Sequence, residues 1–178
     1  MNKKNVIILM IDGGRLDRAL ESATFNKIKQ NSIFLSQPIT YGPHTIAAMH
    51  AVFSGTYGNR TGTNSYWSTF KFKKDKFKTL TEYLHDQEYY TIADVVSELV
   101  IPQQGFDEFL IHDELKDDLT LRHCNFFDNM KKISSDNKNF FIYLQYSNIH
   151  TGIMNDVLKV YDNFSDEYFS NKEKNEQR

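Results

Sequence analysis

Two continuous apolar runs most constrain how this chain can fold. The first is Val6–Ile11, and the second covers residues 139–146. An apolar run without alternation is typical of a strand buried on both faces, the kind found centrally in parallel sheets. We therefore expect two strands here, with Val6–Ile11 buried on both faces.

The segments between these runs alternate between helical and strand patterns. Helical spacing of apolar residues occurs over residues 15–30, 45–53, 79–85 and 118–134. Strand patterns occur over residues 33–36 and 89–96, and an edge strand or surface hairpin is predicted over 70–77. Strands that alternate with helices predict an α/β fold, a mainly parallel sheet flanked by helices.

The composition is that of a folded globular protein. The 178 residues are 40% hydrophobic and 25% charged, which suits one domain or part of a larger one. The formal net charge of −2 argues against a broad electrostatic surface for nucleic acid. A polar tail from about residue 155 to 178 lacks apolar periodicity and has the character of an exposed helix.

Cysteine usage and the N-terminal sequence bear on location. Cys124 is the only cysteine, so no internal disulfide can form, and we expect it to be a buried small hydrophobe. No run reaches the roughly 20 apolar residues that a membrane span needs. The apolar run before Asp12 is too short for a signal peptide, so we expect a cytoplasmic location.

Asp12 and His150 each lie just past the carboxyl end of a predicted strand. Ligands of open α/β sheets collect at that edge, so both residues are placed for function. The alternatives are that Asp12 caps the next helix and that His150 is structural.

A glycine-rich stretch after residue 41 carries a hydroxyl group at the start of a predicted helix. Gly42 and Pro43 form a turn, Thr45 begins the helix, and three glycines follow within the eight residues 55–62. Backbone N–H groups and the helix dipole favour an anion or a nucleophile at such a position. Alternatively, Thr45 is only an N-cap.

Two histidines and a basic run lie near this stretch. His44 directly precedes Thr45 and could point at the same site, whereas His50 is expected to be structural. The lysine-rich residues 71–78 are expected to form a solvated surface.

Four segments, in this order, resemble the sulfatase-like branch of the alkaline phosphatase superfamily. They are a strand ending in Asp12, a hydroxyl-bearing helix over residues 45–55, a Tyr-x-Thr strand and Gly-Phe-Asp-x-Phe within residues 79–109, and a strand ending in His-Thr over residues 140–151. The resemblance implies an alkaline-phosphatase-like fold, of which residues 1–178 are an incomplete, N-terminal portion.

The resemblance also assigns roles to four residues. It implies that Thr45 is the catalytic nucleophile, that Asp12 and Thr45 bind a divalent ion (Ca, Zn or Mn), and that His150 and Asn64 contact the substrate. Sulfatases carry Cys or Ser within Cys/Ser-x-Pro-x-Arg and convert it to formylglycine, but residues 45–49 read Thr-Ile-Ala-Ala-Met. The Thr-dependent relatives act on phosphate esters, so we expect a small-molecule phosphate ester, with a sulfate ester less favoured.

The second metal-binding segment of the family, an Asp-His type motif, does not occur in this sequence. The metal site is therefore incomplete, and we expect the chain alone to be inactive. One alternative is a non-catalytic, truncated sulfatase-like domain. Another is a generic α/β domain in which Asp12 and Thr45 are only helix caps, with side chains more than about 6 Å apart.

Overall fold

The structure is a computed structural model that describes residues 3–135, 138–147 and 149. The strands are β1 (Val6–Ile11), β2 (Tyr90–Val95), β3 (Glu108–Ile111) and β4 (Phe140–Tyr146). The helices are α1 (Leu16–Ala19), α2 (Ala23–Gln30), α3 (Thr45–Ser54), α4 (Gly58–Thr61), α5 (Leu80–Asp86) and α6 (Leu119–Ser135), and a 3₁₀ helix spans Tyr66–Lys71.

The four strands form one sheet in the order β1-β4-β2-β3, and each neighbouring pair is parallel. This sheet, with helices packed on it, confirms the predicted fold class. Because all strands run the same way, their carboxyl ends share one edge. Ile11 of β1 lies beside Tyr146 of β4, so residues that follow these two strands are neighbours.

The two apolar runs occupy different places in the sheet. β4 lies between β1 and β2, and its residues are buried except for the last. β1 is an edge strand of the described sheet, and Ile7, Leu9 and Ile11 are 46%, 54% and 56% exposed. The expectation that Val6–Ile11 is buried on both faces is therefore wrong for the described residues: Ile8 and Met10 pack on the α3 side, whereas no residue of β1 joins the cluster on the α6 face.

The two faces of the sheet pack against different helices. On one face, Phe53 of α3 contacts a cluster that includes Val95 and Tyr143, with residues of α5 around it. On the other face, Met130 of α6 packs with Ile92 of β2 and apolar residues of β4. Because side chains alternate along a strand, neighbouring residues of β2 serve opposite faces.

α5 begins with the capping box that the sequence predicts. The Thr79 side chain accepts from the Glu82 backbone N–H, and the Glu82 carboxylate accepts from the Thr79 backbone N–H. The loop before β3 packs tightly on this turn. Gly105 has φ +79°, and a Cβ there would come within 2.3 Å of the Glu82 backbone nitrogen, so only glycine fits.

Three of the predicted elements differ from the structure. The helix predicted over 15–30 is split into α1 and α2, because the Ser22 hydroxyl accepts from the Phe25 backbone N–H and starts a new helix. Residues 33–36 form no strand, and Ile33 is 92% exposed. Residues 70–77 form the end of the 3₁₀ helix and turns, because buried Phe72 anchors this stretch beneath α3.

The helix predicted over 118–134 is observed as α6, but Cys124 is exposed rather than buried. His123 takes the inward-facing position beside it and is 1% exposed. The predicted polar tail, 155–178, lies outside the described residues. Within the described residues, no helix combines the length and the apolarity that crossing a bilayer requires.

Candidate active site

Thr45 is the first residue of α3, and the residue before it caps the helix. His44 has extended backbone angles, and its Nδ1 accepts from the Ala47 backbone N–H at 3.3 Å. Because His44 fills the capping position, the alternative that Thr45 is the N-cap is wrong. The Thr45 hydroxyl can therefore make other contacts.

The Thr45 hydroxyl donates to the Asp12 carboxylate, with Oγ1 3.2 Å from Oδ1 and 3.4 Å from Oδ2. Both residues are half-buried. Asp12 does not cap α1, since the N-cap residue there is Arg15 and makes no side-chain capping bond. The reading in which both residues are only helix caps more than about 6 Å apart is contradicted by this contact.

Gln145 holds the other side of the Asp12 carboxylate, and sequence reasoning missed it. Its amide nitrogen donates to Asp12 Oδ2 at 3.0 Å, and its amide oxygen accepts from the Val96 backbone N–H at 3.1 Å. The two bonds together fix which end of the amide faces Asp12. A glutamine inside an otherwise apolar strand was the signal that could have identified it.

These residues border a cavity of about 890 Å³ at the carboxyl edge of the sheet. Its lining combines apolar side chains with polar ones, which are Asp12, Thr40, His44, Thr45, Ser97, Glu114 and Gln145. Neither Lys nor Arg is among the described residues that line it. The volume suits a small molecule. Because the charged side chains in the lining are carboxylates, an anionic ligand there needs a bound cation to offset their repulsion.

The other predicted site residues lie elsewhere. Asn64 is exposed, is not among the described cavity-lining residues, and accepts from the Ser68 hydroxyl at 3.5 Å. His150 lies outside the described residues. The predicted substrate contacts of Asn64 and His150 therefore remain predictions.

His50 is buried behind the cavity wall, as expected for a structural residue. Its Nε2 lies 3.1 Å from the carbonyl oxygen of Leu99, and its ring packs edge-on against Phe72. Burial lowers the pKa of His50 to about 4, against the smaller opposing effect of the bond to Leu99. His50 therefore ties α3 to the loop that forms another wall of the cavity.

A second acid-centred cluster lies on the α6 face of the sheet, and no sequence motif pointed to it. Asp94 of β2 is fully buried and is contacted by His112, His123 and Arg122. Burial alone would raise the pKa of Asp94, but hydrogen bonds from the two histidines and the arginine hold it well below its ordinary value.

Comparisons with known proteins identify the family. Residues 4–178 match the family model named Sulfatase, so the chain belongs to the Sulfatase family. This membership confirms the resemblance to the sulfatase-like branch of the alkaline phosphatase superfamily. No curated protein matches the chain.

A solved structure shares the fold. The structure of BT4656 in complex with its substrate D-glucosamine-2-N,6-O-disulfate superposes with a TM-score of 0.63 at 17% sequence identity. The match covers 81% of this chain and 34% of that chain. The chain therefore spans about a third of the length of this relative.

Proposed function

We propose that this chain is the N-terminal part of a metal-dependent ester hydrolase or transferase in which Thr45 is the nucleophile and a phosphate ester is the substrate. The observation that carries the proposal is the contact between the Thr45 hydroxyl and Asp12, 3.2 Å apart at the mouth of α3 and facing the cavity. An alcohol at the first turn of a helix, beside a carboxylate, is placed to attack an anionic ester.

The identity of the nucleophile favours phosphate over sulfate. A formylglycine aldehyde is made from Cys or Ser, and the branched Cβ of Thr45 cannot give one. The side chain must therefore act as an alcohol, which is the mode of the phosphate-acting relatives. Family membership alone is compatible with a sulfate ester as well, so the substrate class is the part of the proposal that needs direct measurement.

The donor set fits part of a divalent metal site. Asp12 and Thr45 present two oxygen atoms to one cavity, and oxygen donors suit Ca²⁺ or Mn²⁺ as well as Zn²⁺. Two oxygens are too few for a closed site, so further ligands must come from water, from His44 or from outside this chain. When bound, the ion would lower the pKa of the Thr45 hydroxyl and offset the negative charge of the lining.

The residues of this chain position the nucleophile and its proton. The Thr45 hydroxyl proton points at Asp12, and Gln145 prevents that carboxylate from rotating away. Attack by Thr45 Oγ1, whose proton passes to Asp12 or to water, forms an oxygen–phosphorus bond while the ester's leaving oxygen departs with its electron pair. The backbone N–H groups at the start of α3 are available to stabilise the phosphoryl oxygens. Water or an acceptor alcohol then takes the phosphoryl group from Thr45.

The experiment uses the complete product of the gene, assayed on bis-p-nitrophenyl phosphate and on p-nitrophenyl sulfate with Mn²⁺, Zn²⁺ or Ca²⁺. We expect the phosphate diester to be cleaved faster. We expect Thr45→Ala to lower kcat by at least about 10³-fold, since nucleophile removal costs that much or more elsewhere. Thr45→Ser, which retains the hydroxyl, is the matched control and should keep most of the activity.

Three results would change the proposal. Activity that survives Thr45→Ala would remove Thr45 as nucleophile, and cleavage of the sulfate ester alone would overturn the substrate class. Folded protein that cleaves neither ester with any of the ions would favour the non-catalytic, truncated domain. The exposed outer side of β1 and the coverage of a third of BT4656 are the observations behind that alternative.

A further inference from the structure

Three metal-ligating side chains meet on the face of the sheet opposite α3. Asp94 comes from β2, His112 directly follows β3, and His123 comes from α6. All three are buried, and one ligand atom of each lies within 4.8 Å of those of the other two. Three separate elements therefore deliver a carboxylate and two imidazoles to one point.

The histidines converge on the same carboxylate oxygen. His112 Nδ1 lies 3.1 Å from Asp94 Oδ2, and His123 Nε2 lies 2.9 Å from it. Ligand atoms about 2.0–2.1 Å from a tetrahedral Zn²⁺ are about 3.3 Å apart, so each histidine nitrogen needs to move away from Asp94 Oδ2 by only a few tenths of an ångström. Two imidazoles with one carboxylate are ligands that zinc accepts in proteins.

The surroundings orient the His112 ring as a metal ligand requires. The His112 backbone N–H continues the sheet by donating to the Val95 carbonyl at 3.0 Å, which fixes where the side chain leaves the backbone. The second ring nitrogen, Nε2, lies 3.4 Å from the Ser147 hydroxyl. An outer partner of this kind sets the tautomer and the ring orientation of a ligating histidine.

Arg122 is the feature that competes with a metal ion. Its guanidinium donates to both oxygens of Asp94 at 2.9–3.0 Å and so compensates the buried charge. However, its side chain is 29% exposed and lies 3.8 Å from the Asp117 carboxylate, which is itself 36% exposed. The guanidinium can therefore turn towards Asp117 and water when a dication takes over the compensation of Asp94.

We propose that Asp94, His112 and His123 form a zinc site that ties β2, the end of β3 and α6 together. In the zinc-bound form each neutral histidine carries its N–H on the ring nitrogen that faces away from Asp94 and coordinates through the lone pair of the other nitrogen. Any additional imidazolium proton leaves to water, and water is the fourth ligand. The site shares no residue with the Asp12 and Thr45 pair, and it does not depend on the proposed function.

The first experiment measures zinc in the unmodified, untagged protein. The complete gene product is stripped with a chelator, exchanged into metal-free buffer and titrated with ZnCl₂ by calorimetry, with metal content checked by mass spectrometry. We expect one tightly held equivalent in the Asp12→Asn, Thr45→Ala background, where the proposed active site cannot add a second, and a rise in Tm of about 5 °C or more on saturation. Co²⁺ in its place should give visible absorption bands of a tetrahedral ion without a thiolate charge-transfer band.

Matched variants separate this site from the proposed active site. His123→Gln should lose the equivalent and the Tm rise, whereas His85→Gln, which alters an exposed histidine outside the cluster, should keep both. An Asp12→Asn, Thr45→Ala background should also keep both, whether or not the proposed function is correct. Failure of the unmodified protein to bind zinc, or retention of the equivalent by folded His123→Gln, would overturn the site.

Discussion

Asp12 and Asp94 occupy similar places in the sheet but have opposite surroundings. Asp12 directly follows β1, is half-buried, and is contacted by a threonine hydroxyl and a glutamine amide. Asp94 lies near the end of β2, is fully buried, and is contacted by an arginine and two histidines. Asp12 thus borders a cavity with neutral partners, whereas Asp94 is enclosed by groups that carry or can carry positive charge.

The comparison shows how the same side chain serves two purposes. A buried carboxylate is tolerated only with charged or multiple hydrogen-bond partners, and these partners then bind three elements together. A carboxylate at a cavity mouth keeps capacity for a ligand, and it contributes less to folding. We therefore expect substitutions at Asp94 to affect mainly folding stability, and substitutions at Asp12 to affect mainly ligand binding.

The largest expected effect is on stability at Asp94. Asp94→Asn removes the charge that Arg122 and the two histidines face, and losing one partner of a buried ion pair costs about 3–5 kcal/mol. The isosteric control, Asp12→Asn, should cost less, about 1 kcal/mol, because its amide oxygen can still accept one of the two bonds, from Thr45 or Gln145, in a half-buried place. Urea unfolding monitored by circular dichroism measures both, and equal losses would remove the distinction between the two sites.

An intermediate effect is expected at His50, beneath the helix that carries Thr45. The pKa of His50 is about 4 in the folded state and near its ordinary 6.5 when unfolded, so the unfolded state binds the proton first. The difference between the two pKa values therefore costs no stability above pH 6.5. As the pH falls towards 4, it lowers the free energy of unfolding by up to about 3 kcal/mol.

His50→Gln tests this, because glutamine does not titrate and can still donate to the Leu99 carbonyl. We expect the drop in unfolding free energy between pH 7 and pH 4 to be smaller in the variant by about 3 kcal/mol or somewhat less. His85→Gln, at an exposed position, is the control and should follow the parent protein. Identical pH profiles for His50→Gln and the parent would contradict the low pKa.

The smallest of these effects is expected at Gln145, which links the Asp12 site to the sheet. Gln145→Met keeps the length of the side chain but leaves the Val96 N–H without its acceptor, at a cost of about 1–3 kcal/mol. The loss of the Gln145 hydrogen bond to Asp12 costs less, because water in the cavity can reach that carboxylate. Chemical denaturation measures the loss of unfolding free energy. Gln145→Glu retains an acceptor for Val96 but faces the Asp12 carboxylate, so it should regain the lost stability only where the new carboxyl is protonated.

Much of the fold and the centre of the candidate site could be predicted from sequence, because both follow from local patterns. Continuous apolar runs identified two strands of a parallel sheet, and Thr79 with Glu82 identified the start of a helix. Since parallel strands end at one edge, a residue just past β1 could be expected near a helix that begins there. The Asp12–Thr45 contact follows from that rule.

What could not be predicted depends on contacts between distant segments. β1 and β4 are both largely apolar, and only the order of strands decides that β1 lies at the edge of the described sheet. The cluster around Asp94 gathers residues from three elements with no motif or fixed spacing. Gln145 contacts Asp12 across 133 positions of sequence. Each of these three features depends on which distant segments come together in the folded chain.

The pairing of the first strand with the last described strand has a consequence for biosynthesis. The Asn5 side chain accepts from the Phe140 backbone N–H across 135 positions, and β1 has no earlier partner among the described strands. At about 5–20 residues per second, a ribosome needs about 7–27 s to make the intervening polypeptide. For that interval β1 of a nascent chain lacks its strand partner, so its backbone edge is unpaired and its apolar side chains can drive aggregation.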